Sequence, residues 1–338
     1  MRGKGINYDT GFYPAGNSSR PDFDPAIAAQ EMRVIARDLG CTAVRISGGD
    51  PERLSIAAQH AAAAGLEVWF APFPCELTTE ELAPLLADCA DRAEQLRQAG
   101  ANVVLVTGCE LTLFNQGFLP GSTIYERIGG LSAWGPELQA AFAALPSKLN
   151  GFLAETATAA RRRFGGPVTY ASGIWEPVDW APFDIAAVDA YRDADNAGNF
   201  TELLRKQVGQ GRPLVVTEYG CCTYQGAGAR GGMGWAIIAK DADPPQLDGD
   251  YVRDETEQVR YLTELTEIFA AEGVDLAFWF TFAGYNLVST DAPRRDLDLA
   301  SYGVVKMLPG GPPAGYQGLG WEPKLVFRAL AGLGPLRP

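Results

Sequence analysis

Eight short runs rich in β-branched and aromatic residues punctuate the chain, and the segments between them decide how they can be assembled. The runs are GINYD (5–9), TAVRIS (42–47), EVWFAPF (67–73), NVVLVTG (102–108), PVTYAS (167–172), DIAAVDAY (184–191), PLVVTEYG (213–220) and DLAFWFTF (275–282). Several are almost continuously apolar, as strands are when both of their faces are covered. The intervening segments, among them PAIAAQEMRVIARDLG, PERLSIAAQHAAAAG and TEELAPLLADCADRAEQLRQAG, place apolar residues at three-to-four spacing, and most end on glycine. Glycine closes a helix because it takes the left-handed conformation without strain. Strands alternating with helices make right-handed βαβ units and a parallel sheet. Eight such units in 338 residues predict an α/β fold, a single (β/α)8 TIM barrel forming one catalytic domain over 1–338.

Glycine-, proline- and aspartate-rich insertions interrupt this rhythm at about 111–140, 221–252 and 283–320, after the fourth, seventh and eighth strands. In a barrel such segments lie on the C-terminal face, so the three long loops are expected to shape a cleft over one site. The link GIWEPVDWAPF between the fifth and sixth strands is short enough for only a turn or a stub of helix. No internal repeat, low-complexity tract or charged linker divides the chain.

Composition removes several function classes. A formal net charge of −13 with scattered basic residues argues against a protein that binds nucleic-acid backbones. The run Arg161, Arg162, Arg163 ends a predicted helix, where cations complement the dipole and face water. The one histidine, His60, lies in an Ala-rich helix far from any strand end, which leaves Ser-His-Asp, Cys-His and His-zinc mechanisms without their central residue. The cysteines, Cys41, Cys75, Cys89, Cys109, Cys221 and Cys222, have no CxxC spacing and read as reduced, mostly buried thiols; Cys109 could meet Cys221 and Cys222 at the strand ends. The start, MRGKGINYDTGFY, lacks the apolar core of a signal peptide, and no stretch reaches the roughly 20 apolar residues that span a bilayer. A cytoplasmic protein without membrane, nucleic acid, metal or cofactor is expected; the oligomeric state stays open.

Two carboxylates stand out. Glu110 follows VVLVTGC and Glu218 ends LVVTE, so both leave strands at the barrel mouth, three strand steps apart. Each alone reads equally well as a salt-bridged structural group. Together, after apolar strands that would make their burial costly, they suit a retaining glycosidase, in which one carboxylic acid protonates the leaving oxygen while a carboxylate about 5–5.5 Å away attacks the anomeric carbon.

With these positions the chain resembles clan GH-A, the retaining (β/α)8 glycoside hydrolases, over the whole barrel. The resemblance implies that Glu110 at strand four is the acid/base and Glu218 at strand seven the nucleophile. It further implies that Arg45 and Tyr191 hydrogen-bond the nucleophile and that Trp279 lies against the sugar. The clan has Asn before its acid/base, bonded to the sugar 2-hydroxyl, whereas this chain has Cys109, a poor substitute for an amide. Asn7, Tyr8 and Asp9 on strand one, and Tyr285 and Asn286 after strand eight, are further candidates for sugar hydroxyls. Trp175 and Glu176 after strand five are candidates for a subsite, and Asp189 for a supporting role. The expected function is therefore retaining hydrolysis, or transfer, of a neutral glycoside or oligosaccharide. The chain also resembles actinobacterial proteins labelled abortive-infection proteins, which implies an alternative: a catalytically degenerate carbohydrate-binding barrel with a role in phage defence. A metal-dependent isomerase or an aldolase is disfavoured by the single histidine and by the lack of a strand-end lysine.

Overall fold

The computed structural model describes residues 1–131, 135–208, 211–240 and 242–334. A strand forms in each of the eight runs: β1 (Gly3–Asp9), β2 (Ala43–Gly48), β3 (Glu67–Pro72), β4 (Val103–Cys109), β5 (Val168–Gly173), β6 (Ala186–Asp189), β7 (Leu214–Tyr219) and β8 (Leu276–Trp279). They pair in chain order, and β1 pairs β8 in parallel to close the barrel.

The helices are α1 (Pro25–Arg37), α2 (Pro51–Ala63), α3 (Thr79–Gln98), α4 (Leu111–Phe114), α5 (Ile124–Gly130), α6 (Pro136–Arg161), α7 (Phe200–Val208), α8 (Glu255–Ala271) and α9 (Leu325–Gly332). Their starts follow local chemistry. Asp24 and Asp50 each accept two first-turn N–H groups and precede a proline at the first helical position. Thr78 and Glu81 form a reciprocal capping box on α3, and Asp254 caps α8. These side chains satisfy donors that a helix leaves free at its N-terminus. The β5–β6 link contains no helix. No helix among the described residues is long and apolar enough to cross a membrane.

Strand alternation divides the core into two layers. Trp69, Ala71, Val104, Val106, Val215 and Phe278 face into the barrel, where Trp69 and Phe278 meet edge to face with ring centroids 5.0 Å apart. Ile6, Tyr8, Val44, Phe70, Val188 and Trp279 face outward, in the layer shared with the helices.

The segment expected to be a loop over 283–320 instead carries a second sheet of β9 (Ala283–Val288), β10 (Val305–Met307) and β11 (Trp321–Pro323) in the order β11-β10-β9. Its strands are too short, and too mixed with glycine and proline, for periodicity to reveal them.

Candidate active site

A bulge aims each of the two glutamates. On β4, Val106 pairs with Thr169 but Cys109 with Ala171, so three steps answer two. On β7, Val216 pairs with Val188 and Glu218 with Asp189; against β8, Val216 pairs with Ala277 and Tyr219 with Trp279. The extra residue bends the strand and changes which side chain faces inward. Cys109 therefore joins the inward set after Val104 and Val106. On β4 the distortion falls at Gly108, whose φ is +122°, and a Cβ there would stand 3.0 Å from the Leu111 side chain.

Glu110 itself is left-handed, at φ 40° and ψ 46°, a conformation that costs a non-glycine residue about 1–2 kcal/mol. Its surroundings hold it there. Its N–H donates to Ala171 O across 2.9 Å, and the next N–H, of Leu111, donates to the Tyr170 hydroxyl across 2.8 Å. That hydroxyl donates to Glu176, which also accepts the Thr112 hydroxyl at 2.6 Å and the Gly173 N–H at 3.0 Å. Glu176, suggested above as part of a subsite, is thus a buried brace for the Glu110 turn. Strain held by over-determined surroundings is typical of functional sites.

Glu218 is 7% exposed and held from three sides. Arg45 Nη1 lies 2.5 Å from its Oε1 and also donates to Asn7 Oδ1 at 2.8 Å. The Tyr191 hydroxyl donates to Oε2 at 2.9 Å. The Cys109 thiol lies 3.7 Å from Oε1 and donates to Asp189 Oδ2 at 3.3 Å. The Asn7 amide nitrogen donates to Thr217 O at 2.8 Å, which turns the Asn7 oxygen toward Arg45. A buried carboxylate needs such a cation and donors to stay charged.

Among the described residues, no guanidinium donates to Glu110 or Asp189, whereas Arg45 donates to Glu218. Burial, then the charges of Asp189, Glu218 and Glu176, raise the Glu110 carboxyl well above the usual range, with Arg45 opposing. Burial and the Glu218 charge raise Asp189 in the same way. Burial, reinforced by Asp189, raises the Cys109 thiol. Burial among negative groups thus favours the protonated form of Glu110, whereas Glu218 is paired with a guanidinium, an asymmetry of the kind that sets two carboxyls apart. Cys109, Asp189 and Glu218 offer atoms within 4.8 Å of one another. Of the three, Glu218 already pairs with the Arg45 guanidinium, with which a metal ion there would compete.

The structure brings Asn7, Arg45, Cys109, Tyr191 and Glu218 together, and places several other candidates elsewhere. Trp279 is fully buried, packs edge to face on Tyr219 and donates its indole N–H to Tyr302 O at 3.0 Å. It has no surface left for a sugar. Tyr8 is also fully buried and faces outward, donating to Glu31 at 2.6 Å. Tyr285 joins the same outer network, donating to Glu31 at 2.9 Å beneath the Arg20 guanidinium. The physical reason is the period of two: Asn7 and Asp9 share the inward face, Tyr8 does not, and Phe280 rather than Trp279 continues from Phe278. Asp9 is buried and accepts the Gly11 N–H at 2.7 Å, which shapes the rim. Asn286 is exposed on β9. Trp175 is 45% exposed beside the end of β5.

Sequence reasoning missed Phe280 and Tyr302, whose rings pack edge to face with Tyr191, at centroid separations of 6.5 and 5.9 Å. Strict alternation along β8 could have found Phe280; no sequence signal marks Tyr302. Cys109 does not meet Cys221 or Cys222. All six cysteines are free, and the Cys222 thiol donates to Ala300 O at 3.1 Å. Arg161 and Arg163 form surface ion pairs with Asp184 and Asp91.

No protein-family model matches the chain, and no curated protein sequence does. Solved structures do match its fold. A GH113 β-1,4-mannanase aligns over 98% of this chain and 98% of its own, with TM-score 0.63 and 15% identity. A mutant form of Thermotoga maritima Cel5A in complex with cellobiose aligns over 89% and 97%, with TM-score 0.53 and 13% identity. The GH113 β-mannanase of Alicyclobacillus acidocaldarius in complex with ManMIm aligns over 75% and 80%, with TM-score 0.51 and 18% identity. The likeness is one of fold: this chain shares the (β/α)8 barrel of these glycoside hydrolases.

Proposed function

We propose that the chain is a retaining glycoside hydrolase of neutral glycosides or oligosaccharides, with Glu218 as nucleophile and Glu110 as general acid/base. The carrying observation is the asymmetry of the carboxyls: Glu218 is bound by Arg45 and Tyr191, while burial among negative groups raises the Glu110 carboxyl and favours its protonated form. In the first step Glu110 gives its proton to the glycosidic oxygen, the C1–O bond breaks, and a Glu218 oxygen bonds to C1. The aglycone leaves as an alcohol. Glu110, now a carboxylate, takes a proton from water as the water oxygen bonds to C1 and frees Glu218. A sugar hydroxyl in place of water gives transglycosylation. The cluster of Glu110, Glu176, Asp189 and Glu218 opposes anionic sugars, which supports a neutral substrate. The six free cysteines support a reducing, cytoplasmic setting. The test is turnover across a panel of aryl glycosides by the native chain and by Glu218→Gln; equal turnover by both rejects the assignment.

Cys109 favours a second reading. Its thiol is engaged by Asp189 and Glu218, and it stands before Glu110 where an amide would be able to hold a sugar hydroxyl. A barrel that binds sugar without cleaving it, in a phage-defence role, would behave this way. Saturable oligosaccharide binding without any product would establish that reading over the first.

A further inference from the structure

Two long loops meet above the barrel. The loop after β4 carries α5, which docks on the opposite rim: Ile124 N donates to Glu76 Oε1 just beyond β3 at 2.7 Å, Arg127 pairs with Glu76 Oε2, and α5 packs on the Pro14–Gly16 turn after β1. The loop after β7 docks on the β6–β7 rim. Ala194 N donates to Ala229 O at 2.9 Å, a Cβ at Gly232 would lie 3.3 Å from the Tyr191 ring, and the Tyr302 hydroxyl accepts from Gly234 N at 2.9 Å and donates to Gly231 O at 2.7 Å.

From these opposite footings Tyr125 of α5 and Trp235 reach each other, with ring centroids 6.2 Å apart and planes at 54°. In a ring of eight strands, β3 and β7 lie four steps apart, so this contact joins loops footed on opposite sides of the ring. On the β1 and β3 side, Phe12 stacks on Phe73 and Phe73 meets Phe114 edge to face. On the other side, Tyr191, Phe280 and Tyr302 pack on one another. The sector after β5 presents the exposed Trp175.

We propose that the Tyr125–Trp235 contact roofs the carboxylate site into a pocket entered from the Trp175 side, so that the chain acts on the terminal sugar of a short glycoside and not on the interior of a polymer. The inference rests on the glycoside-hydrolysis reading and adds the substrate class. A terminal sugar enters beneath the roof, and the leaving part lies against Trp175, whose flat face suits a sugar ring or an aryl group.

The test uses 4-nitrophenyl glycosides, β-1,4-linked manno- and gluco-oligosaccharides, galactomannan and carboxymethylcellulose. The native chain should shorten oligosaccharides from one end and leave polymer viscosity unchanged. Tyr125→Ala/Trp235→Ala, checked for an unaltered melting temperature, should raise polymer cleavage relative to aryl-glycoside cleavage by about tenfold or more. A native chain that thins the polymers, or a double variant with an unchanged ratio, overturns the proposal. A readout free of turnover is the bismaleimide cross-linking of Tyr125→Cys/Trp235→Cys, located by peptide mass. Failure to cross-link overturns the roof; cross-linking with no turnover of any probe by the native chain overturns the hydrolysis reading and the substrate class resting on it.

Discussion

Cys109 donates its thiol to Asp189 across 3.3 Å, which ties the residue beside one candidate catalytic glutamate to the carboxyl paired in the sheet with the other. The contact positions Glu218 indirectly. Cys109→Ser keeps a donor and should leave kcat within about threefold, whereas Cys109→Ala should lower it by roughly tenfold, the worth of one buried hydrogen bond. KM should change little in either, since the thiol is engaged by protein groups. Steady-state kinetics of the two variants, with pH profiles, check this.

Arg45 is fully buried and paired with Glu218. Arg45→Met should destabilise the chain by about 3–5 kcal/mol, because Glu218 is left buried without its cation. The same substitution in a Glu218→Gln background should cost clearly less, since no carboxylate then needs pairing. Urea unfolding of the four proteins measures the coupling; equal losses in both backgrounds would contradict it.

Glu110 has a raised carboxyl pKa from burial and neighbouring negative charge. Activity that requires its proton should fall as pH rises through that raised value, and Glu110→Gln should flatten the basic limb at a much lower rate. Stability follows the same proton. A group with a raised folded pKa stabilises the fold below its unfolded pKa and loses that contribution as pH climbs through the folded value. Glu110→Gln should therefore melt close to the native chain in acid and above it at alkaline pH. A constant difference across pH would contradict this.

The thiols should be quiet. Burial pushes Cys41, Cys75 and Cys89 up to about 12 and raises Cys109, Cys221 and Cys222 as well. Only Cys75 is partly exposed. Ellman's reagent at pH 8 should find almost no reactive thiol in the native chain, with Cys75 the first to react, and all six cysteines after denaturation.

The barrel was legible because its strands are buried on both faces and its helices begin at aspartate, threonine and proline, signals that act within a few residues. Glu218 drew notice as a charge at the end of an apolar strand, and Arg45 as a cation that needs a buried partner; the pairing of Arg45 and Tyr191 with Glu218 was implied by the clan resemblance, and both lie against it. Tyr8, suggested by its hydroxyl, and Trp279, implied by the clan resemblance, are both turned outward by the two-residue period, to Glu31 and Tyr302. The bulges were invisible, since only Gly108 hints at one and nothing in LVVTE marks the other. The Tyr125–Trp235 contact joins residues 110 positions apart in irregular loops, where no periodicity operates.

The central claim concerns Glu218 as a nucleophile. Incubation with an activated 2-deoxy-2-fluoro analogue of the best aryl glycoside, followed by peptide mass mapping, should find one glycosyl adduct on Glu218, and Glu218→Gln should remain unlabelled with turnover lowered by about a thousandfold or more. An adduct on another carboxylate, or undiminished turnover in Glu218→Gln, would contradict the account.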